Sequence, residues 1–473
     1  MSQPEPVVTP SGMSLERWGL SPWLLGVIIL LAWAPLPFGS VQPVWKNVLS
    51  AASLLMFAGF IIAKGPTLRW PPHGNRALSW SLAFFVLACL WIALQAAPFM
   101  PVSWHHPAWQ LTAEALGEPL TGTISLDPAA SIEDLLSLLG LAGIFGIVVI
   151  EARDPKKART LLAAAAIIAF AYAVYGLVVY LTGNETVAWA DKRFYRDSLS
   201  SSFVNRNTYG VYAGLGIVFA TALVLSFIAP IIAGRQRRAD KAREALSYMT
   251  GPGGFWLLAI IVGSSALILS GSRAASTASA LGVLALVGLY FAARRASVTT
   301  IVGSFGAIAA AGFVLFLLSG DLLFDRFSQV DASLGGRSRI YEIVAIAIQD
   351  HFWLGGGYGA FDDVFRIYAG TAESFGPNYE AAHSVFLEMT LELGVPATVF
   401  LFASIALLVG SCSWAILTRR RDRMFPVLAI ASTVLVVVQG TVDFGVQTPA
   451  VALVFAIALG LGVAQSTSSA DHK

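Results

Sequence analysis

The stretch TLLAAAAIIAFAYAVYGLVVYLT, from Thr160 to Thr182, contains no charged residue. A bilayer core about 30 Å thick is crossed by roughly 20 apolar residues in a helix. Lipid offers no hydrogen-bond partner to the backbone, so a helix must satisfy these groups internally. The stretch therefore predicts a membrane-spanning helix.

The same pattern recurs along a chain of 473 residues, of which 56% are hydrophobic and only 12% charged. Soluble domains usually carry about 25% charged residues. We therefore predict an all-α polytopic membrane protein with about twelve transmembrane helices. The predicted spans centre on 21–38, 45–63, 78–97, 132–150, 160–182, 208–233, 254–271, 275–293, 299–319, 384–412, 425–442 and 449–466. The two cysteines, Cys89 and Cys412, fall inside apolar runs, which predicts neither a disulfide nor a thiolate metal site.

Lysine and arginine set the expected orientation, because they favour the cytoplasmic side. With a cytoplasmic N-terminus, 20 of the 30 basic residues lie inside and 10 outside. Both termini are then cytoplasmic, with 467–473 as a short tail. Residues 1–199 would form five helices and a periplasmic lid loop over 98–131. Residues 200–466 would form the remaining helices and a long periplasmic loop over 320–383.

Eight of the ten outer basic residues cluster in two loops. They are Lys192, Arg193, Arg196 and Arg206 in one loop, and Arg326, Arg337, Arg339 and Arg366 in the other. Basic loops on the outer face predict an anionic ligand there. The alternative is that they pair with local acids, namely Asp191, Asp197, Asp331 and Glu342.

The outer segments differ in their predicted structure. The 98–131 loop has no lysine or arginine and is rich in proline, tryptophan and glycine, which predicts an irregular lid with Trp104 and Trp109 at the interface. In the longer loop, apolar residues from Ile340 to Ile348 follow helical spacing before the glycine run at 355–359. This predicts an amphipathic helix of about three turns that rests on the membrane domain.

Arg273 occupies a short turn between two predicted spans. A charge at membrane depth costs several kcal/mol unless it is paired or reaches water. We take Arg273 as a candidate binding residue, with a structural ion pair as the alternative.

Several segments together resemble the bacterial O-antigen ligase and polymerase superfamily. They are FVNRNTYG (203–210), SGSRAAS (270–276), GGRSRIYEIVAIAIQDHFWLGGGYGAF (335–361), HSVFLEMTLELGVPA (383–397) and QGTVDFGVQTPA (439–450). The resemblance implies an inner-membrane glycosyltransferase of the C-type helical fold. Such an enzyme moves a glycan from an undecaprenyl-diphosphate carrier to a sugar hydroxyl on the periplasmic face, without a cofactor, a metal or a nucleotide sugar.

The resemblance also implies site residues. The family's histidine corresponds to His383, taken as the catalytic general base, with an interfacial ring that caps the helix from Ser384 as the alternative. The expected substrate-binding residues are Arg273, Arg206, Asn207, Arg337, Arg339 and Glu392. Ser384 stands where many relatives carry asparagine.

These residue types suit the implied chemistry. Histidine has a reference pKa near 6.5 and can take a proton from a hydroxyl at working pH. Arginine presents a planar fork of donors to a departing diphosphate. On an ideal helix Glu388 and Glu392 would lie about 140° and 180° around from His383, so neither would contact it, unless His383 precedes the helix. The outer loops contain no Asp-x-Asp pair, which predicts a metal-independent reaction.

The expected partners are a lipid-diphosphate-linked glycan donor, the bilayer, and as acceptor either lipid A core or a growing glycan. No nucleic acid is expected. The sequence leaves ligase and polymerase open, because only the acceptor differs. A transporter or flippase of lipid-linked saccharides is the alternative from another class, although inverted repeats and mid-span charges are not evident.

Overall fold

The computed structural model describes residues 20–65, 76–233, 237–294, 330–370, 381–419 and 423–466. These residues form sixteen α-helices and one short antiparallel hairpin, β1 (Thr186–Val187) with β2 (Ala190–Asp191). The first eight helices are α1 (Pro22–Trp33), α2 (Pro43–Lys64), α3 (Arg76–Gln95), α4 (Pro107–Leu116), α5 (Pro128–Glu151), α6 (Pro155–Leu181), α7 (Arg206–Ala233) and α8 (Arg238–Thr250). The others are α9 (Pro252–Ser270), α10 (Arg273–Ala293), α11 (Val330–Asp350), α12 (Phe361–Ala369), α13 (Val385–Leu393), α14 (Val395–Thr418), α15 (Met424–Gly440) and α16 (Pro449–Ala464).

Eight of the described helices are long and apolar enough to cross a membrane, which confirms a polytopic all-α membrane protein. They are α2, α3, α5, α6, α7, α9, α10 and α14. Three shorter apolar helices, α1, α15 and α16, coincide with three further predicted spans. The predicted span 299–319 lies outside the described residues, so the count of twelve stays a prediction.

Local sequence explains where several long helices begin. Asp127 and Asp154 precede α5 and α6, and their carboxylates accept the backbone N–H groups of Ala130 (2.9 Å) and Lys156 (2.8 Å). Each is followed by proline, which lacks the N–H that a first helical turn would leave unpaired. Short polar motifs thus fix the starts of these two helices.

Helix α7 lies at the centre of the bundle and packs against α6, α9, α10 and α15. Gly210 and Gly214 face Ala275 and Ser279 of α10, in a pairing of small residues four positions apart. A Cβ on Gly210 would lie 2.6 Å from the Ala275 Cβ, so only glycine permits this approach. The two helices run in the same direction, and their first turns, which begin at Arg206 and Arg273, are held together.

The helix ends form two opposite faces. On one, the Glu151 face, the buried Glu151 carboxylate binds Lys157 and accepts a hydrogen bond from the Ser21 hydroxyl at 2.7 Å. Gln465, just after α16, donates to the carbonyl of Ala152 there. The other, the His383 face, carries the N-terminal ends of α7 and α10 together with α11 to α13. Basic residues of the Glu151 face include Lys64, Lys157, Arg153, Arg294, Arg419 and Arg423.

The predicted span 384–412 is wrong as a single helix, because the chain breaks at Gly394. Gly394 has φ +75°, and its backbone is packed so tightly that an added Cβ would lie 2.8 Å from the Trp353 carbonyl oxygen. Helix α13 therefore ends at Leu393, and the membrane-crossing helix α14 begins at Val395. The short helix α13 lies outside the eight spans.

The amphipathic helix expected near 335–348 is confirmed but longer, because α11 spans Val330–Asp350. Its buried face includes Ile340 and Val344, which share a core with Phe361 of α12 and Leu391 of α13. The apolar partners of this face lie on the adjacent short helices. That the helix rests on the membrane domain stays a prediction.

The expectation of an irregular lid over 98–131 was only partly right, because Pro107–Leu116 forms α4. The indole N–H of Trp109 donates to the Ser125 carbonyl at 3.1 Å within the lid. His106, which caps α4 through its Nδ1, stacks on His351 after α11 with ring centroids 4.9 Å apart. This stack joins the lid to the outer helices.

Candidate functional site

His383 lies two residues before the first residue of α13, next to the N-cap residue Ser384. Its backbone φ is +52°, a left-handed conformation that is uncommon for residues other than glycine. Such conformations cost about 1–3 kcal/mol and persist where surrounding contacts enforce them. Since His383 precedes the helix, the conclusion that Glu388 and Glu392 lie on other faces of one helix no longer applies.

The His383 ring faces a buried carboxylate. Its Nδ1 lies 3.8 Å from Oδ1 of Asp443, a side chain with only 1% of its surface exposed. The other oxygen, Oδ2, accepts a hydrogen bond of 2.5 Å from the Asn207 amide. Asp443 therefore connects the segment after α15 to the first turn of α7 and to the histidine.

Two contacts fix the backbone around His383. The Glu388 carboxylate accepts the Ala382 N–H at 2.9 Å and the Gln447 side-chain amide at 2.9 Å. The Tyr341 hydroxyl of α11 donates to the His383 carbonyl at 3.1 Å. Side chains of α11 and α13 thus hold the histidine in its strained conformation, and Gln447 in turn holds the Glu388 carboxylate.

Glu388 is enclosed by these contacts on α13. Burial raises the pKa of this carboxyl above its usual range, although the hydrogen bonds from Ala382 and Gln447 act in the opposite direction. Both groups donate to the carboxylate, so they favour the ionised form. Glu388 links the His383 segment to the turn after Asp443, and it is a positioning residue.

Two of the predicted arginines lie at neighbouring helix starts. Arg206 begins α7 and Arg273 begins α10, which pack closely through Gly210 and Ala275. The Arg206 guanidinium donates to the Ser198 hydroxyl at 3.0 Å. Helix N-termini present unpaired N–H groups and favour anions. Arg206, Arg273 and Asn207 therefore occupy adjacent first turns, and Asn207 is joined to His383 through Asp443.

The two predicted arginines of the outer helix α11 differ from Arg206 and Arg273, because neither lies at the start of its helix. Arg339 is exposed, and Tyr341, which contacts the His383 carbonyl, lies two residues further along α11. Positions two apart point about 200° from each other on a helix, so the Tyr341 contact does not bring Arg339 toward the histidine. The Arg337 side chain lies outside the described part of the structure.

Glu392 is buried, with 3% of its surface exposed. Its carboxylate accepts backbone N–H groups of Gly359 and Phe361, and its carbonyl accepts Gly357 N–H at 3.0 Å. Burial and the neighbouring Glu388 carboxyl raise the pKa of Glu392 well above its usual range. These contacts hold the glycine run 355–359 against α13.

Sequence reasoning missed Asp443. The residue lies in QGTVDFGVQTPA, within the connection between two apolar helices. The signal that could have identified Asp443 as a site residue was a single acid in a connection between two apolar helices. Its partners Asn207 and His383 come from distant parts of the chain, so their meeting was not readable from local pattern.

No group of three or more histidine, cysteine or acidic side chains that could hold a metal ion occurs among the described residues. Metal independence stays a prediction.

Comparison with known proteins gives one family match. The O-antigen ligase family model matches residues 258–402, and none of the curated proteins compared with this chain matches it. The match confirms the resemblance over this region, which includes Arg273, Arg337, Arg339, His383 and Glu392. Arg206, Asn207 and Asp443 lie outside the matched region, and the fold brings them close to His383 and Arg273.

Proposed function

From the O-antigen ligase match over residues 258–402, we propose that this multi-pass membrane protein transfers a glycan from undecaprenyl diphosphate to a sugar hydroxyl. The reaction takes place on the periplasmic face of the bacterial inner membrane, at the His383 face of the bundle. The observation that carries the proposal is the pairing of His383 with buried Asp443, beside the helix starts that bear Arg206 and Arg273.

In the proposed mechanism His383 takes the proton of the acceptor hydroxyl. Its Nδ1 faces Asp443 at 3.8 Å, which leaves Nε2 to receive the proton. The acceptor oxygen forms a bond to the anomeric carbon while the bond from that carbon to the diphosphate oxygen breaks. The electron pair leaves with the lipid diphosphate, so negative charge grows there.

The charges of the site match this redistribution. Asp443 stabilises the imidazolium that His383 becomes, and Asn207 keeps the carboxylate oriented through its 2.5 Å hydrogen bond. Arg206 and Arg273, with the N-termini of α7 and α10, offer positive charge and hydrogen-bond donors to the departing diphosphate. Arg337 and Arg339 of α11 are proposed to contact more distant parts of the donor. Glu392 is proposed to act on the substrate indirectly, by holding the glycine run.

The testing experiment compares His383→Asn with wild type, in purified protein supplied with a defined lipid-linked donor. Asparagine tolerates positive φ better than most residues, so this variant removes the base while it preserves the backbone. We expect transfer to fall about 10²- to 10⁴-fold, the usual contribution of a general base. The melting temperature should stay close to that of wild type, and a transfer rate near wild type would contradict the catalytic role.

The same assay decides between ligase and polymerase. Lipid A core as acceptor would give a ligated product, whereas a second lipid-linked repeat unit would give a longer glycan. Movement of intact donor across a vesicle membrane without a new glycosidic bond would instead indicate a flippase.

A further inference from the structure

A separate cleft lies beside the proposed site, at the end of α6 on the His383 face. Its volume is about 130 Å³, and its lining includes Tyr180, Asn184, Lys192, Arg196 and Ser200, together with the acid Glu185. A protein cavity of about 150 Å³ can hold benzene, so a cleft of this volume takes the acidic group of a sugar rather than a whole ring. The proposed transfer mechanism uses none of these six side chains.

The cleft has a buried cation in its wall. Lys192 is only 8% exposed, and its ammonium group donates to the Ser198 carbonyl oxygen. Burial lowers the pKa of Lys192, while Asp197 and Glu185 act to raise it. A buried charge is costly unless it is paired, so an anion in the cleft would stabilise the ammonium.

A second cation stands at the rim of the same cleft. One nitrogen of the exposed Arg196 guanidinium, NH1, lies 3.4 Å from the Glu185 carboxylate, and another, Nε, donates to the Lys192 carbonyl at 3.0 Å. Exposed ion pairs of this kind contribute little to stability, so Arg196 can turn toward an incoming anion at small cost.

The cleft also contains a polar atom with no partner among the described residues. Ser200, which lines the cleft, is 2% exposed, and its buried hydroxyl has no hydrogen-bond partner among the described residues. Buried polar groups are nearly always hydrogen-bonded, and an exception calls for an explanation. A hydroxyl in a cleft that also contains a buried ammonium is suited to donate to an oxyanion.

Ser198 places this cleft next to the proposed diphosphate site. Its carbonyl oxygen accepts from Lys192, and its side-chain hydroxyl accepts from Arg206. The segment from Ser198 leads into α7, where Asn207 contacts Asp443. A ligand in the cleft would therefore lie beside the reacting groups without occupying them.

We propose that the cleft is a subsite for an acidic sugar, whose carboxylate or phosphate is held by Lys192, Arg196 and Ser200. The choice of a sugar rests on the proposed function, and on the mixture of hydroxyl, amide and aromatic groups in the lining. The acidic sugar belongs either to the donor glycan or to the acceptor.

Binding is tested without turnover, through the melting temperature of the purified full-length protein. D-glucuronate and glucose 6-phosphate are the probes, and D-glucose at matched ionic strength is the neutral comparison. A ligand that binds the folded state raises the melting temperature in a concentration-dependent way. We expect a rise with one or both acids and none with glucose. No rise with either acid, or an equal rise with glucose, overturns the proposal.

Variants tie the effect to the cleft. Ser200→Ala and Arg196→Gln should each weaken acid binding about tenfold, the effect of losing a charge-assisted hydrogen bond. Arg193→Gln is the matched control, because Arg193 is exposed in the same loop and does not line the cleft. Without ligand, Ser200→Ala should melt at or above the wild-type temperature, since an unpaired buried hydroxyl is removed. Equal weakening by Arg193→Gln would contradict a localised subsite.

Transfer assays then identify the source of the acidic sugar. If the acidic sugar belongs to the donor, Arg196→Gln should lower the transfer rate from an acidic donor but not from a neutral one. If it belongs to the acceptor, Arg196→Gln should lower the rate of transfer to a phosphorylated acceptor but not to a dephosphorylated one. Equal effects across all four substrates overturn the subsite. Because the melting test needs no catalysis, a negative result there rejects the cleft alone, whereas an active His383→Asn rejects the proposed mechanism.

Discussion

At the scale of single residues, a strained histidine is held where a buried acid faces it. The φ of +52° at His383 is maintained by the Tyr341 hydrogen bond and by Glu388, which fixes the preceding residue. Strain of this kind supports a functional hypothesis because the chain retains it against its conformational preference. The surroundings thus set the direction in which the ring points.

Arg273 gives a residue-scale prediction. Charge-assisted hydrogen bonds contribute about 1.5–3 kcal/mol, so Arg273→Ala should lower transfer at least about tenfold while membrane insertion is retained. Arg273→Lys should restore only part of the rate, since a point charge replaces the bidentate fork. Steady-state transfer from a defined donor measures both variants.

The control for Arg273 lies at the other end of the same helix. Arg294 follows α10 on the Glu151 face, where it stacks over the Tyr290 ring at 4.8 Å. Arg294→Gln should transfer normally. Full activity in Arg273→Ala would remove Arg273 from the site.

At the scale of elements, the site depends on how closely α7 and α10 approach. A Cβ at Gly214 would lie 2.0 Å from the Ser279 hydroxyl oxygen, and one at Gly210 would lie 2.6 Å from the Ala275 Cβ. Small residues on both helices therefore determine the spacing of the two arginine-bearing first turns.

A bulky residue at Gly210 should separate these helices. Gly210→Leu is expected to lower the melting temperature, because overpacking typically costs about 1–3 kcal/mol, and to weaken donor binding. Gly410→Leu is the matched control, since a Cβ at Gly410 would meet open space on α14. Donor titration and thermal unfolding of both variants provide the check, and unchanged donor affinity in Gly210→Leu would show that the spacing does not matter.

The lid offers a prediction on pH. Burial, followed by the nearby His351, lowers the pKa of His106 from 6.5 to about 4, and burial lowers that of His351. Asp350 and the Tyr368 hydroxyl are the other titratable groups bonded there. Between pH 6.5, the pKa of His106 in the unfolded chain, and about pH 4, its pKa in the folded protein, the unfolded chain binds more protons than the folded one. The contribution of neutral His106 to the free energy of unfolding is therefore fully present above about pH 6.5 and is lost as the pH falls toward about 4.

His106→Asn tests this dependence, because asparagine is a good N-cap and does not titrate. Melting temperatures measured from pH 4 to pH 7.5 should fall less steeply for this variant than for wild type. Identical slopes would mean that the stacked histidines do not control attachment of the lid.

At the scale of the whole molecule, the two faces differ in their chemistry. The Glu151 face collects basic residues around one buried acid, whereas the His383 face carries the lid, the outer helices and the proposed site. An excess of lysine and arginine favours the cytoplasmic side. This distribution predicts that the Glu151 face is cytoplasmic.

Cysteine labelling in intact cells measures the orientation. In a background with Cys89→Ala and Cys412→Ser, a membrane-impermeant thiol reagent should modify Thr112→Cys on α4 of the lid. It should modify Ala242→Cys on α8 only after the membrane is opened. Both positions are exposed on their helices, so access depends on the side of the membrane. The reverse pattern would invert the orientation.

The sequence by itself determined the membrane class and the positions of most spans, and it singled out His383 as the catalytic candidate. Runs of apolar residues are local, and lipid compels them to form helices, so they can be read without knowledge of neighbours. The motifs around Arg273 and His383 were likewise contiguous, and the family match covers both.

Tertiary structure alone decided how the site is assembled. Asn207 and Asp443 are 236 positions apart in the sequence, yet they meet because α7 and α15 pack together. The break at Gly394 and the burial of Glu392 likewise follow from contacts with the glycine run 355–359. The unpaired Ser200 hydroxyl and the buried Lys192 suggest an anion-binding subsite only because the fold places both residues in one cleft. Such pairings depend on which helix faces meet, and hydrophobic pattern does not specify this when nearly every face is apolar.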